Sequence, residues 1–309
     1  MNIEEDIMLS IIVPTYNHEN YIIEALESIK KQKTKYKFEV LVGEDASTDN
    51  TRQVIKQYEK NNPGFLTVFY RKRNMSNCLV QNSLDLRYRA KGKYIITLEG
   101  DDFWIDDKKI EKQVDYLEKN PDVIAVAHKC VVVGKDSLPN GEEYPQCKNE
   151  EYTIKDFING ILPGQLTTIM MRNYIKDKLC DYSILEKGLN PGDTLLAYML
   201  INSGKVFCMN EVMTAYRHVI KGGSSYSANV RYIYSKEENW WRELMMYALG
   251  LPSKEGYRYI EYKYLIVILR GLRDKDISIH EFGINFWKIP NKLGAVIRVL
   301  KKNIFKIST

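Results

Sequence analysis

Five short apolar runs, continuous rather than alternating, punctuate the first half of the chain: Leu9–Val13, Phe38–Val42, Leu66–Tyr70, Tyr94–Leu98 and Val123–Ala127. Runs of this length and β-branched content read as strands, and their lack of alternation implies that both faces are covered. Between them the period changes. Ile22, Leu26 and Ile29 recur at helical spacing after the first run, and Val54, Ile55 and Tyr58 do so after the second, where Asp49 offers a cap. Strand and helix in alternation build an α/β domain with a largely parallel sheet, and such sheets bind ligands at the carboxyl ends of their strands.

The residues that follow the strands are therefore the first to inspect. Pro14-Thr15-Tyr16-Asn17 follow the first, Gly43-Glu44-Asp45 through Asp49 the second, and Glu99-Gly100-Asp101-Asp102 the fourth. Asn17 or Asp49 alone reads as a turn or a helix cap. Three polar, acidic segments at one sheet edge point to a site. Neighbouring carboxylates such as Asp101 and Asp102 repel each other and lose solvation, so a divalent cation is their natural partner, and a hard cation among oxygen ligands in turn holds phosphate. No G-x-G-x-x-G and no P-loop lysine motif occurs at a strand end, which sets aside nicotinamide dehydrogenases and P-loop kinases. An acid such as Asp45 can instead recognise a base by accepting the N–H of a pyrimidine.

Composition bounds the remaining classes. With 44% apolar and 28% charged residues among 309, the chain is an ordinary globular protein and not a disordered one. Its five cysteines are scattered without a metal or redox spacing and read as reduced thiols. No apolar run approaches the roughly 20 residues of a membrane span, and the acidic start MNIEEDI lacks the pattern of a signal peptide, so the expected location is cytoplasmic. The net charge of +5 is unevenly placed. From Phe282 onward there are six basic residues (Lys288, Lys292, Arg298, Lys301, Lys302, Lys306) and no acid, which leaves the rest of the chain at about −1. Such a body argues against nucleic acid as a partner. In the tail, Val296, Val299, Leu300 and Ile304 share a helical face beside these cations, a pattern resembling a helix on an anionic membrane surface. The alternative is a helix packed on the catalytic domain with a solvated basic face.

Three segments in order, SIIVPTYNHENYIIEALESI, VGEDASTDNT and GKYIITLEGDDFW, resemble family 2 glycosyltransferases of the GT-A fold, over roughly Leu9 to Ser225. The stretch EGDDFWIDDKKIEKQVDYLEKNPDV is similar to bacterial members that assemble surface glycans. The resemblance implies a GT-A catalytic domain over residues 1–220, with nucleotide-sugar binding in 1–103 and acceptor binding in 104–220, followed by a mostly helical region over 221–309. It implies metal-dependent, inverting transfer of one sugar, of hexosyl or N-acetylhexosaminyl type, from a nucleotide-sugar, specifically a UDP-sugar, to a saccharide or lipid-linked acceptor. A catalytically inactive nucleotide-sugar-binding scaffold and a sugar nucleotidyltransferase stand as the other readings.

Carried over residue by residue, the resemblance places Pro14, Thr15, Tyr16 and Asn17 around the nucleoside and Asp45 on the base, with Glu44 in place of the family's first acid. Asp101 lies near the ribose, and Asp102 ligates Mn²⁺ or Mg²⁺. Asp193 matches the general base, although Gly192 stands where the family has a glutamate; a helix N-cap is its structural alternative. His218 is a candidate for the metal or the diphosphate, within Tyr216-Arg217-His218. Gln81 replaces an expected arginine, so Arg71 or Arg73 is the candidate to supply the missing charge. Trp104 either walls the sugar pocket or packs in the core, and Lys221 to Ser225 form a candidate lid. In this chemistry Asp193 takes the acceptor proton, and a diphosphate leaving as an anion needs no second carboxylic acid.

Overall fold

The computed structural model describes residues 7–75, 79–187, 189, 192–219 and 232–307. The chain divides into two compact units, Met1–Asn229 and Val230–Thr309. The expected boundary at residue 220 and the candidate lid at 221–225 lie outside the described residues.

The first unit is built on a nine-stranded sheet. Its first part alternates β1 (Leu9–Thr15), α1 (Ile22–Lys30), β2 (Phe38–Glu44), α2 (Thr51–Asn61), β3 (Thr67–Tyr70), α3 (Leu79–Arg89) and β4 (Tyr94–Thr97). Then follow β5 (Phe103–Trp104), α4 (Lys109–Lys119), β6 (Val123–Val133), β7 (Glu151–Tyr152), α5 (Ile154–Ile158) and β8 (Met170–Arg172). The short helices α6 (Tyr174–Asp177) and α7 (Ser183–Glu186) lead to α8 (Gly192–Ser203) and β9 (Lys205–Arg217). The strand order is β3-β2-β1-β4-β8-β6-β9-β5, with β7 added on β9.

All seven residues of β1 are buried, as the unbroken apolarity of the run requires. Ile22, Leu26 and Ile29 of α1 and Ile55 and Tyr58 of α2 face the same core, so the helical spacing read from the sequence is the packing face. Asp49 Oδ1 accepts the Thr51 amide at 2.9 Å from one residue before the N-cap position of α2, which is Asn50 and makes no side-chain cap bond. Four adjacent strands, β3-β2-β1-β4, are mutually parallel. Beyond β4 the sheet is mixed rather than largely parallel: β8 runs antiparallel to both β4 and β6, while β6 and β9 pair in parallel through two irregularities near His128 and Lys129. The run at Val123 extends to Val133, and its long pairing with β9 forms the second half of the sheet.

The second unit is helical: α9 (Tyr234–Ala248), α10 (Lys254–Arg273), α11 (Ile279–Trp287) and α12 (Lys292–Ile307). Trp240, Trp241, Leu244 and Met245 of α9, with Ile260, Tyr264, Leu265 and Ile268 of α10, are among its buried apolar residues. Gly271 lets α10 approach closely, because a Cβ there would sit 2.2 Å from the Tyr234 ring. Among the described residues no helix is long and apolar enough to cross a membrane.

Candidate active site

With β2 on one side of β1 and β4 on the other, the sheet order reverses at β1, and a crevice opens where chain direction diverges in this way. Three loops are pinned together there. The Asp45 amide donates to Thr15 O at 3.0 Å, and the Gly100 amide donates to Pro14 O at 3.2 Å, so the loops after β2 and β4 both hang on the end of β1. Asn17 adopts φ of 58°, a left-handed conformation that asparagine tolerates. From there its Oδ1 accepts the Thr48 amide at 2.8 Å, and its own N–H donates to Ser47 Oγ at 3.1 Å. Gly100 is required by crowding. A Cβ there would stand 2.7 Å from both His18 Nδ1 and Thr15 Oγ1.

The proposed base-binding acid is held firmly. Asp45 is buried, and its Oδ1 accepts the Met75 amide at 2.7 Å. Burial raises its carboxyl above the usual aspartate range despite that bond. Ala46 beside it has φ of 56°, a strained value for a residue with a Cβ. Glu44 is fully buried and occupied: Oε1 accepts the Ser47 amide at 2.7 Å, and Oε2 pairs with Arg52. It shapes the Asp45 loop from beneath. Tyr16 is half-buried.

Four acids gather at the end of β4. Asp102 is 1% exposed, and its Oδ1 accepts the Arg217 amide at 2.8 Å, while its Oδ2 is buried without a hydrogen-bond partner. Burial first, and then the charges of Asp101 and Glu99, push the Asp102 carboxyl well above its ordinary range. Burial with the charges of Asp101 and Asp193 raises Glu99 to about 7. Asp193 lies in the first turn of α8, its Oδ1 accepting the Thr194 amide at 2.8 Å, and burial raises its carboxyl too. Because the helix begins at Gly192, Asp193 stands inside its first turn and not at the N-cap position. Asp193 also contributes its charge to Tyr144 and Tyr216, whose rings meet edge-on at 5.5 Å.

A buried arginine fixes this arrangement. Arg217, at the end of β9, is 1% exposed; its Nε donates to Asp101 O at 2.8 Å, Nη1 to Gly134 O at 2.7 Å, and Nη2 to Glu24 Oε2 at 2.7 Å and Ser137 Oγ at 3.0 Å. Together with its backbone bond to Asp102, it grips both residues of the Asp101-Asp102 turn. His18 reaches the same turn from the loop after β1, with Nδ1 3.2 Å from Thr15 Oγ1 and Nε2 3.8 Å from Asp101 Oδ2. Sequence reasoning passed over Arg217, His18 and Tyr144. Only Arg217 left a signal, as a cation closing an apolar strand.

The other candidates are placed as follows. His218 Nδ1 lies 2.5 Å from Glu142 Oε2, one residue beyond the Arg217 anchor. Arg71 pairs with Asp85 at 2.5 Å and donates to Asn82 Oδ1 at 3.2 Å, whereas Arg73 is exposed. Trp104 is 4% exposed within the main core, with the Lys109 ammonium 4.5 Å from its ring, so core packing is the role observed. Among the described residues no three His, Cys, Asp or Glu side chains form a ready metal cage. The orphaned Asp102 Oδ2 beside Asp101 nonetheless fits a hard cation of the Mn²⁺ or Mg²⁺ kind, which one or two carboxylates hold together with substrate phosphates.

Residues 10–177 match the family model described as Glycosyl transferase family 2. The chain belongs to this family. An uncharacterized protein of Mycobacterium tuberculosis is 28% identical over 220 residues, 69% of this chain and 60% of that protein. The chain thus spans about 60% of the length of this mycobacterial relative. The Escherichia coli UDP-Glc:alpha-D-GlcNAc-diphosphoundecaprenol beta-1,3-glucosyltransferase WfgD is 35% identical over 116 residues, 38% of this chain and 43% of WfgD. Among solved structures, Staphylococcus aureus TarS 1–349 in complex with UDP-GlcNAc superposes with a TM-score of 0.67 at 18% identity, covering 92% of this chain and 82% of that one. The family 2 chain therefore has the GT-A fold, with helices following the nine-stranded sheet in sequence.

Proposed function

We propose that this family 2 protein is a glycosyltransferase of bacterial surface-glycan synthesis, moving one sugar from a UDP-sugar to a saccharide or lipid-linked acceptor with inversion. The observation that carries this reading is the gathering of Glu99, Asp101, Asp102 and Asp193 at the carboxyl edge of the sheet, with one buried carboxylate oxygen of Asp102 unpartnered. The relatives support the donor and acceptor classes: TarS is solved with UDP-GlcNAc, and WfgD is named for a UDP-Glc donor and a diphosphoundecaprenol-linked acceptor.

Asp45 accepts the base N–H, and the end of β1 at Pro14, Thr15 and Tyr16 packs beside the nucleoside. Asp102, with Asp101 at hand, holds Mn²⁺ or Mg²⁺, which when bound neutralises the leaving diphosphate. Asp193 accepts the proton of the attacking hydroxyl, and its burial strengthens it as a base. The deprotonated oxygen then attacks the anomeric carbon from the face opposite the diphosphate. Its bond forms as the bond from carbon to diphosphate breaks, which inverts the centre. His218 is assigned to the same edge, where it can approach the diphosphate on release from Glu142. Arg73 is exposed and stands two residues before Met75, whose amide Asp45 accepts, and it is assigned the diphosphate contact that Gln81 does not provide.

A thermal-shift series of UDP, GDP, CDP and dTDP, with and without Mn²⁺, combined with a transfer assay, tests the reading. Metal-dependent stabilisation by UDP, with product formation, is expected. Stabilisation without transfer to any acceptor makes the chain a binding scaffold, and no stabilisation by any nucleotide removes the Asp45 and Asp102 assignments.

A further inference from the structure

Helix α11 is an anomaly in a folded protein. Five of its nine residues are large and apolar (Ile279, Phe282, Ile284, Phe286, Trp287), yet none of the nine is buried. Ile279 is 79% exposed and Trp287 75%. A short connection leads to α12, where Leu293, Ile297 and Leu300 are 72%, 43% and 56% exposed. These three stand at i, i+4 and i+7, so they form one stripe along the helix. The exposed stripe differs from the face expected from the sequence, since Val296 and Val299 are half-buried; the side chain of Ile304 lies outside the described residues. What holds the unit together lies elsewhere: Ile289 and Ala295 are buried, and Arg298 lies over the rings of Tyr259 and Tyr262 on α10 at 5.7 and 5.9 Å.

Past Glu281, which is held in a capping box with Ser278 at the start of α11, the charge around this face is of one sign. Lys288 and Lys301 are exposed, and the Lys292 ammonium lies 4.9 Å over the Trp287 ring. From Phe282 onward the sequence contains no acid at all. An apolar stripe for a protein partner does not require such a cationic border. Apolar side chains with an amphipathic tryptophan and an unbroken set of lysines match an acyl boundary beneath anionic headgroups.

We propose that α11 and α12 form a docking surface for an anionic lipid bilayer, with Ile279, Ile284, Trp287, Leu293, Ile297 and Leu300 entering the headgroup region and Lys288, Lys292 and Lys301 meeting its phosphates. This surface is independent of the acid-lined site and of the reaction proposed for it. Attachment is peripheral and reversible, because the apolar stripe is shallow and the electrostatic part is screened by salt.

The test is co-sedimentation of the full chain with phosphatidylcholine vesicles, with and without phosphatidylglycerol, alongside sedimentation velocity without lipid. Binding to the phosphatidylglycerol vesicles, weakened by added salt and falling about tenfold in Trp287→Ala/Leu293→Ala/Leu300→Ala, is expected. Lys288→Gln/Lys292→Gln/Lys301→Gln is expected to remove the preference for the anionic lipid. All six positions are partly or fully exposed, so unchanged melting temperatures establish that the variants fold. Absence of vesicle binding overturns the proposal, as does binding that neither set of substitutions alters. Self-association that the apolar variant abolishes, without vesicle binding, assigns the face to a second copy of the chain and overturns it equally.

Discussion

Arg217→Ala is the most informative single perturbation of the site. The guanidinium donates to two backbone carbonyls at short range, of Asp101 and Gly134, to Lys135 O at 3.4 Å, to Ser137 Oγ and to the Glu24 carboxylate, from a position 1% exposed to solvent. The Glu24 side chain is 39% exposed and regains water when the pair is broken, so that arm contributes on the order of 1 kcal/mol or less. The two carbonyls lose charged donors, at about 1.5–3 kcal/mol each. The sum is about 3–7 kcal/mol. For a unit of this size that lowers the melting temperature by about 6–28 °C, at about 2–4 °C per kcal/mol. Arg217→Lys retains the charge but cannot span three directions with one ammonium, and it should recover part of the loss. Glu24→Gln should move the melting temperature by no more than about 4 °C. Because Arg217 holds the Asp101-Asp102 turn, transfer by the Lys variant should fall further than its stability does, measured at a temperature where it remains folded. An Arg217→Ala protein that melts within about 2 °C of the parent, with unchanged transfer, refutes the assignment of Arg217 as the anchor of the turn.

Other outcomes follow from the same geometry. Asp193→Asn should reduce the transfer rate by about 10²–10⁴-fold while leaving nucleotide-induced stabilisation intact, because it removes only the proton acceptor; equal rates dismiss its role as base. Gly100→Ala forces a Cβ to 2.7 Å from His18 and Thr15 and should cost about 1–3 kcal/mol, with weaker UDP stabilisation, both read by thermal shift. Glu99 is protonated in the folded protein up to about 7, against an ordinary value of 4.5. Its stabilising contribution is complete below the ordinary value and is lost as pH rises through about 7, a decline of about 3 kcal/mol in the metal-free protein. Glu99→Gln should lessen the decline, the rest belonging to Asp102 and Asp193, and parallel stability curves for the two proteins across this range would falsify the shift.

The parallel half of the fold is legible because its signal is local. Burial on both faces of β1, β2 and β4 demands unbroken apolar runs, and the helices between them show their packing face at i, i+4 and i+7. The mixed half leaves no such trace. Strands β5, β7 and β8 are two or three residues long and exist only through partners distant in sequence, as when Phe103 pairs with Ala215. Strand β9 carries Asn210 and Glu211 mid-run, where its register against β6 is irregular, so periodicity fails there. The site divides in the same way. Acids that follow strands stand out as a pattern, whereas Arg217 meets Asp101 and Asp102 across more than a hundred residues and acquires its meaning only from that contact. Glu44 matched a family position, but the structure shows an acid committed to Arg52 and Ser47, a pairing no motif records.

The charge balance of the site explains why Asp102 Oδ2 is left without a partner in the protein alone. Arg217 is the cation built into the turn, yet its side-chain donors go to the Asp101 carbonyl, Gly134 O, Ser137 and Glu24 rather than to the carboxylates of Asp101 or Asp102. It fixes the backbone that carries the acids and leaves much of their mutual repulsion in place, which is why Glu99 and Asp102 both titrate high. A lysine or arginine placed on Asp102 Oδ2 would relieve that repulsion permanently and would also fill the position at which an incoming charge is useful. On the proposed reading, the relief is reserved for a ligand that arrives with its own cation, so binding a cation–diphosphate and returning Glu99 to its ordinary range are one event. Proton release on nucleotide binding near pH 7, reduced in Glu99→Gln, is the corresponding observable.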